Sequence, residues 1–112
     1  MDDFPEPVTE QITAEKVKAS IDNKEDFALL DVRTTAEYAR GKIGGSINLP
    51  VDEVSQKIEE VIPDKEQTVY VYCLSGSRSV HAVDAMARMG YKKVYNMTNG
   101  LLAWRVKGYP TE

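Results

Sequence analysis

The residues best suited to chemistry lie in the segment YVYCLSGSRSVHAV, residues 70–83, which contains the only cysteine of the chain, Cys73. The six residues that follow the cysteine read LSGSRS, so serines and a glycine surround a single arginine, Arg78. A loop of small residues can turn several backbone amides toward one atom, and a guanidinium adds a permanent positive charge beside it. Both groups favour a thiolate over a thiol. The segment therefore predicts a nucleophilic sulfur held in an anion-binding loop.

Two regular elements are predicted to position this loop. TVYVYC, residues 68–73, is dense in β-branched and aromatic residues, which is typical of a strand. SVHAVDAMARMG, residues 79–90, has the apolar spacing of a helix and ends in a glycine. The inward face of this helix is predicted to carry Val80, Val83 and Met86 or Ala87.

Cys73 would then lie at the carboxyl end of a strand, where ligand sites form in open α/β sheets. The N-terminus of the next helix would add free N–H groups and the positive end of a dipole, and we expect both to lower the pKa of the thiol. A lone free cysteine is more often a buried packing residue. Its place at a strand end, before small residues and an arginine, favours the reactive interpretation here.

Strand and helix patterns alternate along the whole chain. Further strands are predicted at residues 27–32, 46–50 and 93–97, and further helices at residues 13–21, 34–41, 52–62 and 100–108. Thr13 is placed to cap the first helix, and Thr34 with Glu37 forms a capping box for the second. The alternation predicts an α/β fold, with a small, mainly parallel sheet flanked by helices on both faces.

Length and composition favour one soluble globular domain, residues 1–112, in which residues 1–7 form a loose N-terminal tail. A net charge of -4 argues against nucleic-acid or anionic-membrane partners. No apolar run approaches the roughly 20 residues that cross a bilayer, and the N-terminus does not resemble a signal peptide. A single cysteine forms no internal disulfide, and no cluster with metal-ligand spacing is present. We therefore expect a cytoplasmic protein without a metal site.

Three segments, in order along the chain, resemble the signatures of the rhodanese family of sulfurtransferases. CLSGSRS, residues 73–79, resembles the family's active-site loop, C-x-S-G-x-R-S. LLDVRTTAEYARGKIGGSINLP, residues 29–50, resembles its D-V-R, E-[YF], G-H-I-x-G-[AS]-x-N-[IL]-P segment. NGLLAWRVKGYP, residues 99–110, resembles its G-G-x-x-A-W-x-x-x-G-x-P segment. The resemblance runs from about Ile12 to Pro110 and implies a single domain with the rhodanese-like fold.

This chain departs from the family pattern at three positions. Lys42 replaces the histidine of G-H-I, and Asn99 replaces the first glycine of G-G. Since neither position holds the nucleophile, we expect altered local packing rather than loss of activity. Leu74 follows the cysteine where some family members carry a cation, which would weaken the attraction for small anionic donors such as thiosulfate.

The loop chemistry and the resemblance together imply transfer of sulfane sulfur through a persulfide on Cys73. The donor would be a small molecule such as thiosulfate, and the acceptor cyanide, a thiol or a protein. Covalent catalysis of this kind proceeds in two displacement steps and needs no metal or organic cofactor. The residues expected to bind substrate are Leu74, Ser75, Gly76, Ser77, Arg78 and Ser79.

Three alternatives to sulfur transfer are open to a thiolate in such a loop. Cysteine phosphatases use C-x5-R, whereas only four residues separate Cys73 from Arg78, which predicts a ring that crowds a tetrahedral phosphate. An arsenate reductase that works through successive cysteines would need a second cysteine. A noncatalytic module that binds a partner or senses an oxidant needs the same thiolate environment, so the loop does not distinguish it from an enzyme.

Other polar and aromatic residues are better explained by structure than by catalysis. Asp31 and Arg33 at the end of a buried strand are expected to form an ion pair or hydrogen-bond network. The only histidine, His81, is expected at the surface or in packing rather than as a general base. Glu37 is interpreted as part of the capping box, and Trp104 as a core residue.

Overall fold

A computed structural model describes residues 9–112, and the predicted tail at residues 1–7 lies outside the described residues. The strands of this part are β1 Gln11–Ile12, β2 Ala28–Asp31, β3 Ile47–Asn48, β4 Thr68–Tyr72 and β5 Lys93–Met97. Its helices are α1 Ala14–Asp22, α2 Thr35–Ala39, α3 Val54–Val61, α4 Ser77–Arg88 and α5 Gly100–Val106, and a turn of 3-10 helix covers Val51–Glu53. No helix within residues 9–112 has the length and apolar character needed to cross a membrane.

All five strands of this part belong to one sheet in the order β1-β5-β4-β2-β3, and every neighbouring pair is parallel. The central strand, β4, pairs with β2 so that Tyr72 lies opposite Asp31. Because the strands are parallel, their carboxyl ends meet at one edge, and Cys73 follows β4 directly at that edge. The predicted α/β architecture is confirmed. The sequence prediction missed β1, whose two residues are too few to show a periodic pattern.

Alternate residues of β4 face two separate hydrophobic cores. Val69, Val71 and Cys73 belong to the core covered by α3 and α4. Tyr70 and Tyr72 belong to the core covered by α1 and α5, where the predicted core residue Trp104 is buried. Helices therefore cover both faces of the sheet, as expected. Because side chains alternate between the two faces along β4, the side chain of Cys73, which follows β4 directly, lies on the face covered by α4.

The inward face of α4 differs in part from the prediction. Its buried residues are Ser79, Ala82, Val83 and Met86, whereas Val80 is half-buried and Ala87 is exposed. Ser79 contacts the Cys73 sulfur at the first turn of the helix, so a polar residue occupies the inward face there. A polar residue on the inward face is invisible to a search for apolar periodicity, which is why the predicted face was rotated.

Candidate active site

The Cys73 sulfur lies beneath a curled loop that turns hydrogen-bond donors onto it. The backbone N–H groups of Gly76 and Ser79 donate to Sγ over N···S distances of 3.1 and 3.4 Å. The Ser79 hydroxyl oxygen lies 3.4 Å from the same sulfur. The Cys73 residue is 0% exposed. The thiol is therefore both buried, as a packing cysteine would be, and surrounded by donors, as a nucleophile would be.

These donors decide the acidity of the thiol. Burial by itself raises the pKa of Cys73, because it disfavours the charged form. Hydrogen bonds from the side chain and backbone of Ser79, and from the backbone of Gly76 and Arg78, act in the opposite direction and outweigh burial. The pKa of Cys73 therefore lies below its ordinary value, as the sequence analysis expects.

Gly76 makes the tight loop possible at the start of α4. Its φ angle is +99°, in the left-handed region that favours glycine. A Cβ at this position would also lie 3.2 Å from the backbone nitrogen of Asn99. The chain can therefore curl back and direct its amides at the sulfur only with glycine at this position.

The N-terminal end of α5 holds the loop from the other side. The N–H of Leu101 donates to the Cys73 carbonyl at 2.9 Å, and the N–H of Leu102 donates to the Leu74 carbonyl at 3.0 Å. Gly100 packs so closely that a Cβ there would collide with both carbonyl groups. The backbone carbonyls of Cys73 and Leu74 thus have hydrogen-bond partners on α5.

Asn99 shows why one departure from the family pattern leaves this arrangement intact. Its backbone adopts φ +60° and ψ 11°, the left-handed conformation. Asparagine tolerates this region better than any other residue with a side chain except aspartate and histidine. The chain can therefore turn into α5 with asparagine where the family pattern has glycine.

The Arg78 guanidinium has a carboxylate partner in the structure. It donates to both carboxylate oxygens of Glu37, at 2.7 and 3.0 Å. Hydrogen bonding to Arg78 is the main cause that lowers the pKa of Glu37 to about 2, against a smaller opposing effect of burial. The predicted capping box of Thr34 and Glu37 is also present. Glu37 therefore ties α2 to the active-site loop, a role that the sequence analysis did not assign.

The remaining loop residues divide between the surface and the core. The hydroxyls of Ser75 and Ser77 are exposed and lie 3.4 Å from each other, with no contact to Sγ. Leu74 packs against the core of α1 and α5. Of the six residues expected to bind substrate, Gly76 and Ser79 donate backbone N–H groups to the sulfur, and the backbone of Arg78 also acts on it.

The structural interpretation of Asp31 and Arg33 is confirmed by their contacts. Arg33 Nη2 lies 2.7 Å from Asp31 Oδ2, and both side chains are buried. The same nitrogen donates to the Gly41 carbonyl at 2.6 Å, which anchors the segment after α2 to the end of β2. His81 is exposed on α4, in agreement with its expected surface position.

Lys42, the third departure from the family pattern, also has a structural explanation. Its backbone exchanges two hydrogen bonds with Glu112, at 3.0 and 2.7 Å. Its ammonium nitrogen lies 4.9 Å from the centre of the Tyr38 ring, within the range of a cation–π contact. Lysine at this position therefore stabilises local packing away from the sulfur contacts.

Comparison with known proteins agrees with this geometry. The Rhodanese-like domain family model matches residues 13–107. A sulfurtransferase from Allochromatium vinosum is 34% identical over 100 residues, which cover 89% of this chain and 92% of the relative. The thiosulfate sulfurtransferase PspE from Escherichia coli is 40% identical over 67 residues, which cover 60% of this chain and 64% of that protein.

The same similarity is present in three dimensions. The crystal structure of a rhodanese-related protein from Thermoplasma volcanium superimposes with a TM-score of 0.81 at 28% identity. The superposition covers 92% of this chain and 97% of the other. On these grounds the chain belongs to the Rhodanese-like domain family, whose related proteins include sulfurtransferases.

Proposed function

We propose that this protein transfers sulfane sulfur through a persulfide on Cys73, with thiosulfate as a suitable donor. The Cys73 thiolate attacks the outer sulfur of the donor, the S–S bond of the donor breaks, and sulfite leaves with the electron pair. A nucleophilic acceptor, either cyanide, a thiol or a protein cysteine, then attacks the outer sulfur of the persulfide. That step releases the sulfurated acceptor and regenerates the thiolate. Neither of these two reaction steps requires a metal or an organic cofactor.

The observation that carries this proposal is the set of donors around Sγ. Amides of Gly76 and Ser79 already point at the sulfur in the resting structure, where they stabilise negative charge. Donors that are positioned in advance in a site without water are worth roughly 3 to 4 kcal/mol each when charge develops. Leu74, Ser75, Ser77 and Arg78 complete the proposed substrate-binding loop.

The burial of the sulfur adds a requirement to the mechanism. Since Cys73 is 0% exposed, the outer sulfur of a donor reaches it only when the loop above it moves. Ser75 and Ser77, whose side chains are exposed, form the part of the loop that we expect to shift. A small anion needs a smaller opening than a bulky one, so the site favours compact donors.

The test is to incubate the purified protein with thiosulfate and measure its intact mass. We expect a gain of one sulfur atom, loss of that sulfur on addition of cyanide, and no gain in Cys73→Ser. A panel of acceptors added to the loaded protein then identifies which nucleophiles remove the sulfur. If no sulfur is gained from thiosulfate or from other sulfane donors, the proposal is wrong.

A second candidate function is the sensing of an oxidant through the same cysteine. The lowered pKa of Cys73 supports this candidate, because the susceptibility of a cysteine to oxidation follows its thiolate character. Comparison of the two reactions separates the candidates. If the protein is a sensor, Cys73 should form a sulfenic acid with the oxidant faster than it gains sulfur from a donor. If the protein is a transferase, the gain of sulfur should be the faster reaction.

A further inference from the structure

A line of hydrogen bonds runs from Cys73 through the interior to the edge of the sheet. The Ser79 hydroxyl contacts the sulfur and donates to Oδ1 of Asn96 on β5. Nδ2 of Asn96 donates to Oε1 of Gln11 on β1 at 2.9 Å. Ser79 is 0% exposed and Asn96 is 3% exposed, so water does not replace these partners. Neither Asn96 nor Gln11 was singled out by the sequence analysis.

The available protons determine which group donates and which accepts in each hydrogen bond of this line. Oε1 of Gln11 accepts from Asn96 and also from the Thr98 hydroxyl, at 2.8 Å. This arrangement holds the Asn96 amide with its nitrogen toward Gln11 and its oxygen toward Ser79. The Ser79 hydroxyl has one proton, which it gives to Asn96. Its lone pairs then face the sulfur, and a protonated Cys73 completes the line by donating its S–H to Ser79.

We propose that Asn96, held in place by Gln11, is a positioning residue that competes with the Cys73 thiolate for the single proton of Ser79. When the thiol ionises, the Ser79 hydroxyl rotates its proton onto the sulfur, and the oxygen of Asn96 loses its donor. A buried acceptor without a donor is costly. Asn96 therefore opposes ionisation and keeps part of the resting population as thiol. The inference deepens the proposed function, because it concerns the sulfur that the function uses.

The charged groups around the sulfur act independently of this line. Arg78 on α4 interacts electrostatically with Cys73, and Glu37 on α2 is paired with Arg78. Asp31 and Arg33 at the end of β2 neutralise each other. The described contacts from β5 and α5 are uncharged, since they come from Asn96 through Ser79 and from the Leu101 backbone. A change at Asn96 thus leaves the charges unaltered and changes only the direction in which Ser79 donates.

The test measures the thiol pKa from the pH dependence of alkylation by iodoacetamide, which requires no sulfur donor. Asn96→Leu should lower the thiol pKa, so that alkylation well below that pKa becomes about threefold faster or more. Ser79→Ala should raise the thiol pKa and slow alkylation about tenfold under the same conditions. In the variant that combines Ser79→Ala with Asn96→Leu, the thiol pKa should equal that of Ser79→Ala alone, because the hydroxyl proton for which Asn96 competes is absent.

Matched variants separate this effect from general loosening of the core. Ser20→Ala removes another fully buried helical hydroxyl, which makes no hydrogen bond among the described residues, and should leave alkylation unchanged. Asn48→Leu removes a strand amide that donates to the backbone carbonyls of Asp31 and Arg33, and should also leave the thiol pKa unchanged. If Asn96→Leu does not fold, Gln11→Ala at the exposed end of the line should shift the pKa in the same direction.

The inference and the proposed function fail through different outcomes of these experiments. An unchanged or raised thiol pKa in Asn96→Leu overturns the inference, and so does a lowered pKa that persists in the Ser79→Ala background. Failure of the proposed function appears separately, as absence of sulfur gain in the parent protein. A protein that never gains sulfur can still show the predicted order of thiol pKa values.

Discussion

Two arginine–carboxylate pairs lie near the carboxyl edge of the sheet, and they share the same closest distance but differ in their exposure to water. Arg33 with Asp31 and Arg78 with Glu37 both show closest N···O distances of 2.7 Å. The side chains of the first pair are 4% and 0% exposed, and those of the second are 34% and 28% exposed. The distance alone therefore does not distinguish a structural pair from a pair at a reactive site.

Exposure determines what each pair can do. The buried pair cannot open without leaving a charge unpaired in the interior, so it acts as a permanent tie between β2 and the segment after α2. The pair at the active-site loop can exchange its partner for water or for an incoming anion at small cost. This difference predicts that Arg78, held by Glu37 in the resting state, can turn to a negatively charged donor.

The largest expected effect comes from breaking the buried pair. Arg33→Met leaves the Asp31 carboxylate buried without its cation, which should lower the free energy of unfolding by about 3 to 5 kcal/mol. Urea denaturation followed by circular dichroism measures this change. A loss below about 1 kcal/mol would mean that the two pairs are equivalent, and the contrast drawn from their exposure would be wrong.

An intermediate effect is expected on reactivity when the cation at the loop is removed. Arg78→Ala should slow alkylation by iodoacetate about tenfold relative to alkylation by iodoacetamide, which corresponds to about 1.4 kcal/mol. Both reagents need the thiolate, so their ratio cancels any change in the pKa of Cys73. Thiosulfate loading should slow in parallel. Arg78→Lys keeps the charge and should retain most of the preference for iodoacetate; an unchanged ratio in Arg78→Ala would remove Arg78 from substrate attraction.

The smallest effect concerns the acid side of the same pair. The pKa of Glu37 falls from its ordinary 4.5 to about 2, chiefly because of the hydrogen bond from Arg78. Since the folded-state pKa is the lower one, this stabilisation is complete above pH 4.5 and is lost as the pH falls toward 2. Glu37→Gln keeps an oxygen for the helix cap but loses the charge. It should cost about 0.5 to 1 kcal/mol at neutral pH and progressively less as the pH falls below 4.5 and through 2.

The control for that experiment is Glu53→Gln, which breaks the exposed Glu53–Lys57 pair. It should change the free energy of unfolding less than Glu37→Gln does. Freed from Glu37, Arg78 should also raise the ratio of iodoacetate to iodoacetamide alkylation in Glu37→Gln. A pH profile identical to that of the parent protein would show that the Glu37–Arg78 pair contributes nothing to folding.

Local sequence was sufficient to predict most of the regular structure. The helix caps at Thr13 and Thr34 form as expected, because capping depends on residues three positions apart. The strand of residues 68–72 was recognisable from its own composition. The edge strand β1 was not, because its two residues belong to the sheet only through pairing with β5, a contact between distant parts of the chain.

The active-site loop shows where sequence reasoning ends. Its small residues, its glycine and its position between β4 and α4 are local features, and they predicted amides directed at Cys73. The partner of Arg78, Glu37, lies 41 residues away along the chain. Ser79 and Asn96 are 17 residues apart in sequence, and Asn96 and Gln11 are 85 residues apart. No local pattern specifies such partners.

By itself, therefore, the sequence determined the alternation of strands and helices and the loop that surrounds Cys73, because each depends on neighbouring residues. Only the tertiary structure decided that the sulfur is fully covered, that Glu37 holds the arginine, and that Asn96 receives the proton of Ser79. The physical reason is that burial and hydrogen-bond partners depend on which strands become neighbours in the sheet. That order, β1-β5-β4-β2-β3, brings residues from the two ends of the chain to a single thiol.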